Sequence, residues 1–332
     1  MSVQKPRIIV TTVPFGAIDD LPIRLIREAG LEMVINPLGR RLQPDEVAGV
    51  IGDFHIVIAG TERIDAATLA ACPNVKAICR VGIGLDGLDL TEARRRGIQV
   101  SYTPDGPSPA VAELAIGLMI DCLRGVSRTD HGLRQGQWNR HTGARLGDST
   151  IGVIGCGRIG SRVIAHLAGG FPGVRILAHD IQGPMTFPGA DQVTWVDRET
   201  LLRQADVVSL HVPLSADTYG MIGDAELAQM KPSAALINTA RGGIVDEAAL
   251  ARALAAGTIA SAAIDVFEVE PYAGPLRDLE QAVLTCHMGS MTRDCRLRME
   301  VEATEEAIRF ARGEALLSPV PENEYVLASR RK

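Results

Sequence analysis

Three polar residues stand where apolar runs end, and their types suit the transfer of a hydride and a proton. Arg241 follows the run 234–239, in Asn238-Thr239-Ala240-Arg241-Gly242-Gly243; Glu270 follows a run ending at Val266; His287 closes the run 283–286. In an open parallel sheet, ligands bind outside the carboxyl ends of the strands, so three such ends converge on one ligand. A planar guanidinium clamps a carboxylate and polarises an adjacent ketone. An imidazole, whose pKa lies near working pH, protonates the alkoxide formed on reduction. A neighbouring carboxylate favours the charged imidazolium and raises its pKa. Together with a hydride donor, this set reduces a 2-oxo acid. Residue types alone leave Glu268 and Glu270 both open as the partner of His287. They also allow Arg241 to pair with Asp246 or Glu247, and His287 to be a core histidine.

The hydride donor has its own signature. Ile151-Gly152-Val153-Ile154 runs into Gly155-Cys156-Gly157-Arg158-Ile159-Gly160. Ile159, Val163, Ile164 and Leu167 then share one helical face, and a second strand over 174–179 ends at Asp180, twenty residues past the last glycine. Gly155 permits the tight turn, Gly157 the approach of a pyrophosphate, and Gly160 close packing of helix on strand. The helix N-terminus offers N–H groups and partial positive charge to the phosphates. Asp180 suits the ribose hydroxyls and repels a 2′-phosphate, and no Arg follows closely to compensate, so the expected cofactor is NAD. Cys156 is a small filler, His179 lines the adenine edge, and His211 is structural.

The 332 residues suffice for two domains. Hydrophobic content of 46% with 22% charged residues is that of a globular protein, and the net charge of −6 carries no footprint for nucleic acid or an anionic membrane. No apolar run reaches spanning length, and the start Met1-Ser2-Val3-Gln4-Lys5 lacks a signal-peptide core. Six scattered cysteines without CxxC spacing suggest neither zinc nor a disulfide framework. The expectation is a reduced, cytoplasmic, metal-free protein.

Strands and helices alternate from residue 7 to 102, which predicts a parallel sheet ahead of the glycine turn. Residues 103–109, rich in proline, read as a hinge. One long helical stretch over 110–138 is apolar on most faces early, and such a helix is buried in a domain or at a subunit contact. The α/β pattern resumes from 150 to about 287. A charged amphipathic helix over 292–312 is too short for a domain and is expected to return to the N-terminal unit. The run Arg94-Arg95-Arg96 reads as a solvated helix end.

The chain closely resembles the D-2-hydroxyacid dehydrogenase family, the group that contains D-3-phosphoglycerate dehydrogenase. The likeness spans nearly its whole length, through Arg80 to Asp86, Val111 to Leu114, the glycine turn, His211-Val212-Pro213-Leu214, Asn238 to Glu247, Asp265 to Pro271 and Leu284 to Gly289. It implies two doubly wound parallel-sheet α/β domains with a cleft between them: a discontinuous flavodoxin-like substrate domain (1–103 plus 293–332) and a Rossmann NAD domain (104–292). It implies Arg241 as substrate clamp, His287 as proton donor and Glu270 as its partner. Backbone N–H groups at Gly82 and Ile83 would hold the substrate carboxylate, with Arg80 also in the substrate site. Arg158, Ile159, Asp180, Val212, Pro213, Thr239, Ala240, Asp265 and Gly289 would contact NAD beside Gly155, Gly157 and Gly160. A homodimer through the NAD domain is implied; Trp138 and Arg140 read equally as reaching a neighbouring subunit's site or as a surface anchor.

The chain departs from the family pattern at Pro107, Asp148 and Cys286, where Asn, Lys and Pro are frequent. Ala59 stands near the place of an Arg that holds phosphate in phosphoglycerate-specific members, which argues against that substrate, although Arg63, Arg80 and Arg140 remain candidates for that role. Alternatives are the same chemistry on a phosphorylated or phosphonate-bearing acid, and an NAD-sensing corepressor-like protein. A P-loop kinase is excluded because no GK[ST] follows the turn. A β-hydroxyacid dehydrogenase fits poorly, because its glycine turn is N-terminal and it uses a helix Lys, whereas the lysines here are 5, 76, 231 and 332.

Overall fold

Two parallel sheets carry the chain, which the computed structural model describes over residues 5–329. Contacts divide it into two units, Met1–Pro107 with Met291–Lys332 and Ser108–Ser290. These limits lie a few residues from 103/104 and 292/293. Ser108 is fully buried and already opens a helix, with Pro109 in its first turn, so it belongs to the second unit. At the other limit, the Gly289 N–H donates to Asp265 and keeps that turn in the second unit.

The first unit is built on β1 (Ile8–Val10), β2 (Met33–Ile35), β3 (Ile56–Ala59), β4 (Ala77–Arg80) and β5 (Gln99–Ser101), all parallel in the order β2-β1-β3-β4-β5. That is the flavodoxin-like order. All four residues of β3 are buried because helices cover both faces, which is why the strand reads as continuous Ile-Val-Ile-Ala. The crossovers are α1 (Leu21–Glu28), α2 (Pro44–Ile51), α3 (Ala66–Ala71) and α4 (Leu90–Arg95). From the C-terminal part come α11 (Arg293–Ala311), packed on α1, β3 and β4, and α12 (Glu322–Ser329), packed on α4.

Helix α11 buries part of its charge. Arg296, Glu300 and Glu306 are buried. Arg296 Nε donates to Glu300 Oε1 at 2.6 Å, and its Nη2 reaches Thr12 Oγ1 at 2.8 Å and the Pro14 carbonyl, while Glu300 Oε2 accepts the Gly16 N–H at 2.8 Å. A buried ion pair persists when its remaining donors and acceptors are matched, and here they tie the helix to the segment after β1. The arginine run is likewise more than a solvated end. Arg94 pairs with Glu322 and lies over the Tyr325 ring, and Arg95 and Arg96 share Glu92.

The second unit begins with α5 (Ser108–Arg124) and α6 (Val126–Arg134). The single helix expected over 110–138 breaks at Gly125, whose φ of +60° suits glycine and not a helix interior. Helix α5 packs on α7 (Arg158–Gly170) and buries Val111, Ala115, Leu118 and Met119, whereas α6 has no buried residue. The sheet comprises β6 (Thr150–Ile154), β7 (Arg175–His179), β8 (Val193–Trp195), β9 (Val207–Leu210), β10 (Ala235–Asn238), β11 (Ser261–Ile264) and β12 (Ala282–Leu284). Its order, β12-β11-β10-β9-β6-β7-β8, is the Rossmann order with one further parallel strand, and the strand order reverses between β6 and β9. Helices α8 (Arg198–Gln204), α9 (Asp224–Leu227) and α10 (Glu247–Ala255) complete the unit.

Candidate active site

At the switch point, β6 hands the chain to α7 through the glycine turn. Gly155 has φ +89°, its N–H donates to the His179 carbonyl at 2.9 Å, and a Cβ there would press on the His211 carbonyl. A Cβ on Gly160 would run into the Gly155 carbonyl, so the missing side chain is what lets α7 lie against the turn. At Gly157 a Cβ would meet nothing, which leaves the backbone open to an incoming group. Gly157 caps α7 without a side-chain acceptor, so Arg158 and Ile159 begin a helix whose first N–H groups face outward for an anion.

Asp180, directly after β7, turns towards this loop. Its Oδ2 accepts the Cys156 N–H at 2.8 Å and its Oδ1 the Gln182 N–H at 2.9 Å. Carboxylate oxygens have lone pairs beyond these bonds, so a ribose diol can still be received. Cys156 is buried, and burial pushes its thiol up to about 12, as expected of a filler. After β10, the Thr239 hydroxyl is buried without a hydrogen-bond partner among the described residues. An orphaned buried hydroxyl calls for a ligand or water, and this one fits a bound dinucleotide. Val212 and Pro213 follow β9, and the Ala240 N–H is held by Asn238 Oδ1 at 3.1 Å.

The chemistry-bearing residues lie after β10, β11 and β12. His287 is three residues beyond β12, not at its end, and has a φ of +50°, the one positive φ among the described non-glycine residues. Asp265 holds it in that conformation. The Asp265 carbonyl accepts the His287 N–H at 2.7 Å, Oδ1 accepts Thr285 Oγ1 at 2.6 Å and the Met288 N–H at 2.8 Å, and Oδ2 accepts the Gly289 N–H at 2.9 Å. The residue expected to touch NAD is thus also the clamp of the histidine turn. His287 Nδ1 lies 3.0 Å from both oxygens of Glu270. Facing an ionised carboxylate, Nδ1 carries the proton and donates, which leaves Nε2 for chemistry. The His287 side chain is 41% exposed, enough for a substrate to reach it.

Glu270 Oε1 also accepts the Phe267 N–H at 3.2 Å. Glu268, the rival partner, turns instead to the Tyr219 hydroxyl at 2.8 Å. Arg241 Nη1 donates to the Ala240 carbonyl at 2.6 Å, and Asn238 Nδ2 holds the Arg241 carbonyl at 3.0 Å. A Cβ on Gly242 would overlap the Phe267 carbonyl, so the Arg241 loop and the Glu270 loop touch backbone to backbone. Tyr219, Thr285 and Glu247 stand in this network without a signal that sequence reasoning could use, because each acts on a backbone group or side chain far along the chain.

In the first unit, Arg80 Nε donates to the Gly84 carbonyl at 2.8 Å, folding the 80–84 loop over itself. Gly82 has φ +138° and donates its N–H to Thr103 Oγ1 at 2.8 Å; Ile83 follows it. Trp138, after α6, is 81% exposed, and Arg140 is exposed. His211 is half-buried: Nε2 lies 2.9 Å from Ser209 Oγ, the buried Nδ1 has no partner among the described residues, and burial pushes its pKa down to about 4.

Comparison with known proteins agrees with this geometry. Residues 116–289 match the family model described as D-isomer specific 2-hydroxyacid dehydrogenase, NAD binding domain. The chain is 38% identical over 276 residues to a hydroxypyruvate reductase of Thermotoga maritima, covering 81% of this chain and 88% of that one. It is 36% identical over 322 residues to a glyoxylate reductase of Thermococcus gammatolerans, covering 93% and 94%. The crystal structure of the TT0316 protein of Thermus thermophilus superposes with a TM-score of 0.86 at 34% identity, covering 95% of this chain and all of that one.

Proposed function

Because the chain belongs to the D-isomer-specific 2-hydroxyacid dehydrogenase family, and is an NAD-dependent enzyme of that kind, we propose that Arg241, Glu270 and His287 are its catalytic set, acting on a small anionic 2-oxo acid. The reading is supported above all by the 3.0 Å approach of His287 Nδ1 to Glu270 beside a glycine turn built for a dinucleotide. When bound, the reduced nicotinamide supplies the hydride. Arg241 fixes the substrate carboxylate and polarises the ketone. As C2 gains the hydride, the carbonyl electron pair moves to oxygen, and His287 Nε2 gives that oxygen its proton. Glu270 holds the ring through Nδ1 and stabilises the imidazolium that begins the step. In the reverse direction, neutral His287 takes the hydroxyl proton.

Gly155, Gly157, Arg158, Ile159, Gly160, Asp180, Val212, Pro213, Thr239, Ala240, Asp265 and Gly289 are assigned to the dinucleotide in this reading, and Arg80, Gly82 and Ile83 to the substrate. The names of the relatives point to glyoxylate and hydroxypyruvate as the first acids to try. A cytoplasmic homodimer completes the proposal. Val126, Leu133 and Trp138, all exposed on or after α6, supply an apolar surface for a second copy. The test is NADH oxidation with a panel of 2-oxo acids, including 3-phosphohydroxypyruvate. Turnover of small unphosphorylated acids that is lost in Arg241→Ala and His287→Gln supports the reading. Unchanged turnover in either variant removes that residue from the set.

A further inference from the structure

We propose that Glu247 is a positioning residue for the His287–Glu270 pair, because its side chain anchors the loop that presents Glu270. The inference rests on the catalytic set proposed above and adds a residue that touches neither substrate nor cofactor. Glu247 is the first residue of α10, directly after the N-cap Asp246, whose Oδ1 accepts the Ala249 N–H at 2.9 Å. A carboxylate in a first helical turn ordinarily stays with the helix's own N–H groups or faces water. Glu247 instead reaches across to the loop after β11, where its Oε1 accepts the Glu268 N–H at 2.8 Å.

That bond lies at the middle of the turn that matters. The preceding N–H, of Phe267, donates to Glu270 Oε1, and Glu270 in turn meets His287 Nδ1. Three further contacts hold the same turn: Gly242 gives room for the Phe267 carbonyl, Tyr219 takes the Glu268 side chain, and the Phe267 and Tyr272 rings stack at 4.2 Å between centroids. Among these supports, Glu247 is the one that stands on a helix. It is half-buried and lines a narrow void with Asn238, Val245, Val266 and Leu276 that has no room for a water molecule. The charged and titratable groups facing it are Asp246 on its own helix and Glu268, Glu270 and Tyr272 from the loop. Burial first, and then these acidic neighbours, raise its carboxyl pKa. The carboxylate stays among acids that repel it, which the Glu268 N–H makes tolerable.

The test compares Glu247→Ala, Glu247→Gln and Glu270→Gln. The readouts are kcat and KM for NADH-dependent reduction of a 2-oxo acid, and the imidazole titration of His287 in the cofactor-free protein by NMR, its resonance assigned by its loss in His287→Gln. Glu247→Ala is expected to lower kcat about tenfold with KM for NADH within about twofold. It should move the His287 midpoint to lower pH, in the same direction as Glu270→Gln and by less. Glu247→Gln keeps a carbonyl acceptor and should retain kcat within about twofold. A His287 midpoint that moves in Glu270→Gln but not in Glu247→Ala would overturn the role of Glu247 and leave the catalytic pair standing. A glutamine variant as impaired as the alanine one would also overturn it. If Glu270→Gln itself leaves the midpoint in place, the pair fails, and the positioning role with it.

Discussion

The backbone of His287 sits in a region that non-glycine residues seldom occupy, and the Asp265 carboxylate and carbonyl are the reason it can stay there. Such a fixed imidazole should be nearly irreplaceable. His287→Gln is expected to lower kcat by about 10²–10⁴-fold, with NADH affinity measured by fluorescence unchanged. On the proposed mechanism, ketone reduction in the parent enzyme draws on the imidazolium and should fall as pH climbs through the His287 titration. Alcohol oxidation needs the neutral ring and should rise over the same interval. Opposed limbs in the two directions check this, and parallel limbs would contradict it. Asp180 offers a second test. Removing its charge removes the repulsion of a 2′-phosphate, so Asp180→Ala should reduce the preference for NAD over NADP, in kcat/KM, about tenfold. An unchanged ratio would mean that another group discriminates.

Within the elements, α11 carries the most consequential interior charges. Glu300→Ala leaves Arg296 buried without its partner and strips the Gly16 N–H of its acceptor, which should cost about 3–5 kcal/mol in a urea titration. Arg296→Met with Glu300→Leu should recover most of that loss. At the end of β9, the His211 ring is held neutral by burial, its pKa down at about 4 against an ordinary 6.5. The unfolded chain therefore binds a proton that the folded one refuses. Stability from this site is fully present above pH 6.5 and is lost as the pH falls from there towards 4. His211→Asn should flatten the stability profile across that window; a profile as steep as the parent's would assign the acid sensitivity elsewhere. The same principle of local chemistry explains Gly125. Its left-handed φ ends α5 where apolar periodicity alone predicted one continuous helix.

For the whole molecule, the two units differ in how the chain supplies them. The second is continuous, and it holds its own core from Leu118 and Met119 of α5 to Ala263 of β11. Residues 108–290 expressed alone should fold cooperatively and bind NADH, and on the proposed assignment of Arg80, Gly82 and Ile83 to the substrate they should not turn over a 2-oxo acid. The first unit is discontinuous, and α11 packs on β3 and β4 and buries Met299, Ala303 and Ala307. Residues 1–107 alone should therefore fail to fold, as read by circular dichroism and thermal melting. A folded 1–107 fragment would show that α11 is dispensable for that core.

Alternating apolar runs were enough to foresee two parallel sheets, because a strand covered on both faces must be apolar throughout and a crossover helix must repay it with one apolar side. The glycine turn and Asp180 were equally legible, since a dinucleotide is recognised by a contiguous strand, turn, helix and strand. Strand ends also marked Arg241, Glu270 and His287, but residue types did not choose between Glu268 and Glu270. That choice, the Asp265 clamp, the reach of Glu247 to Glu268 and the burial of Arg296 against Glu300 were decided by the fold. Each joins groups whose meeting depends on how neighbouring loops turn, or on which helix face the core claims. A hydrogen bond forms within about 3 Å, and no local pattern in a chain specifies a separation that small.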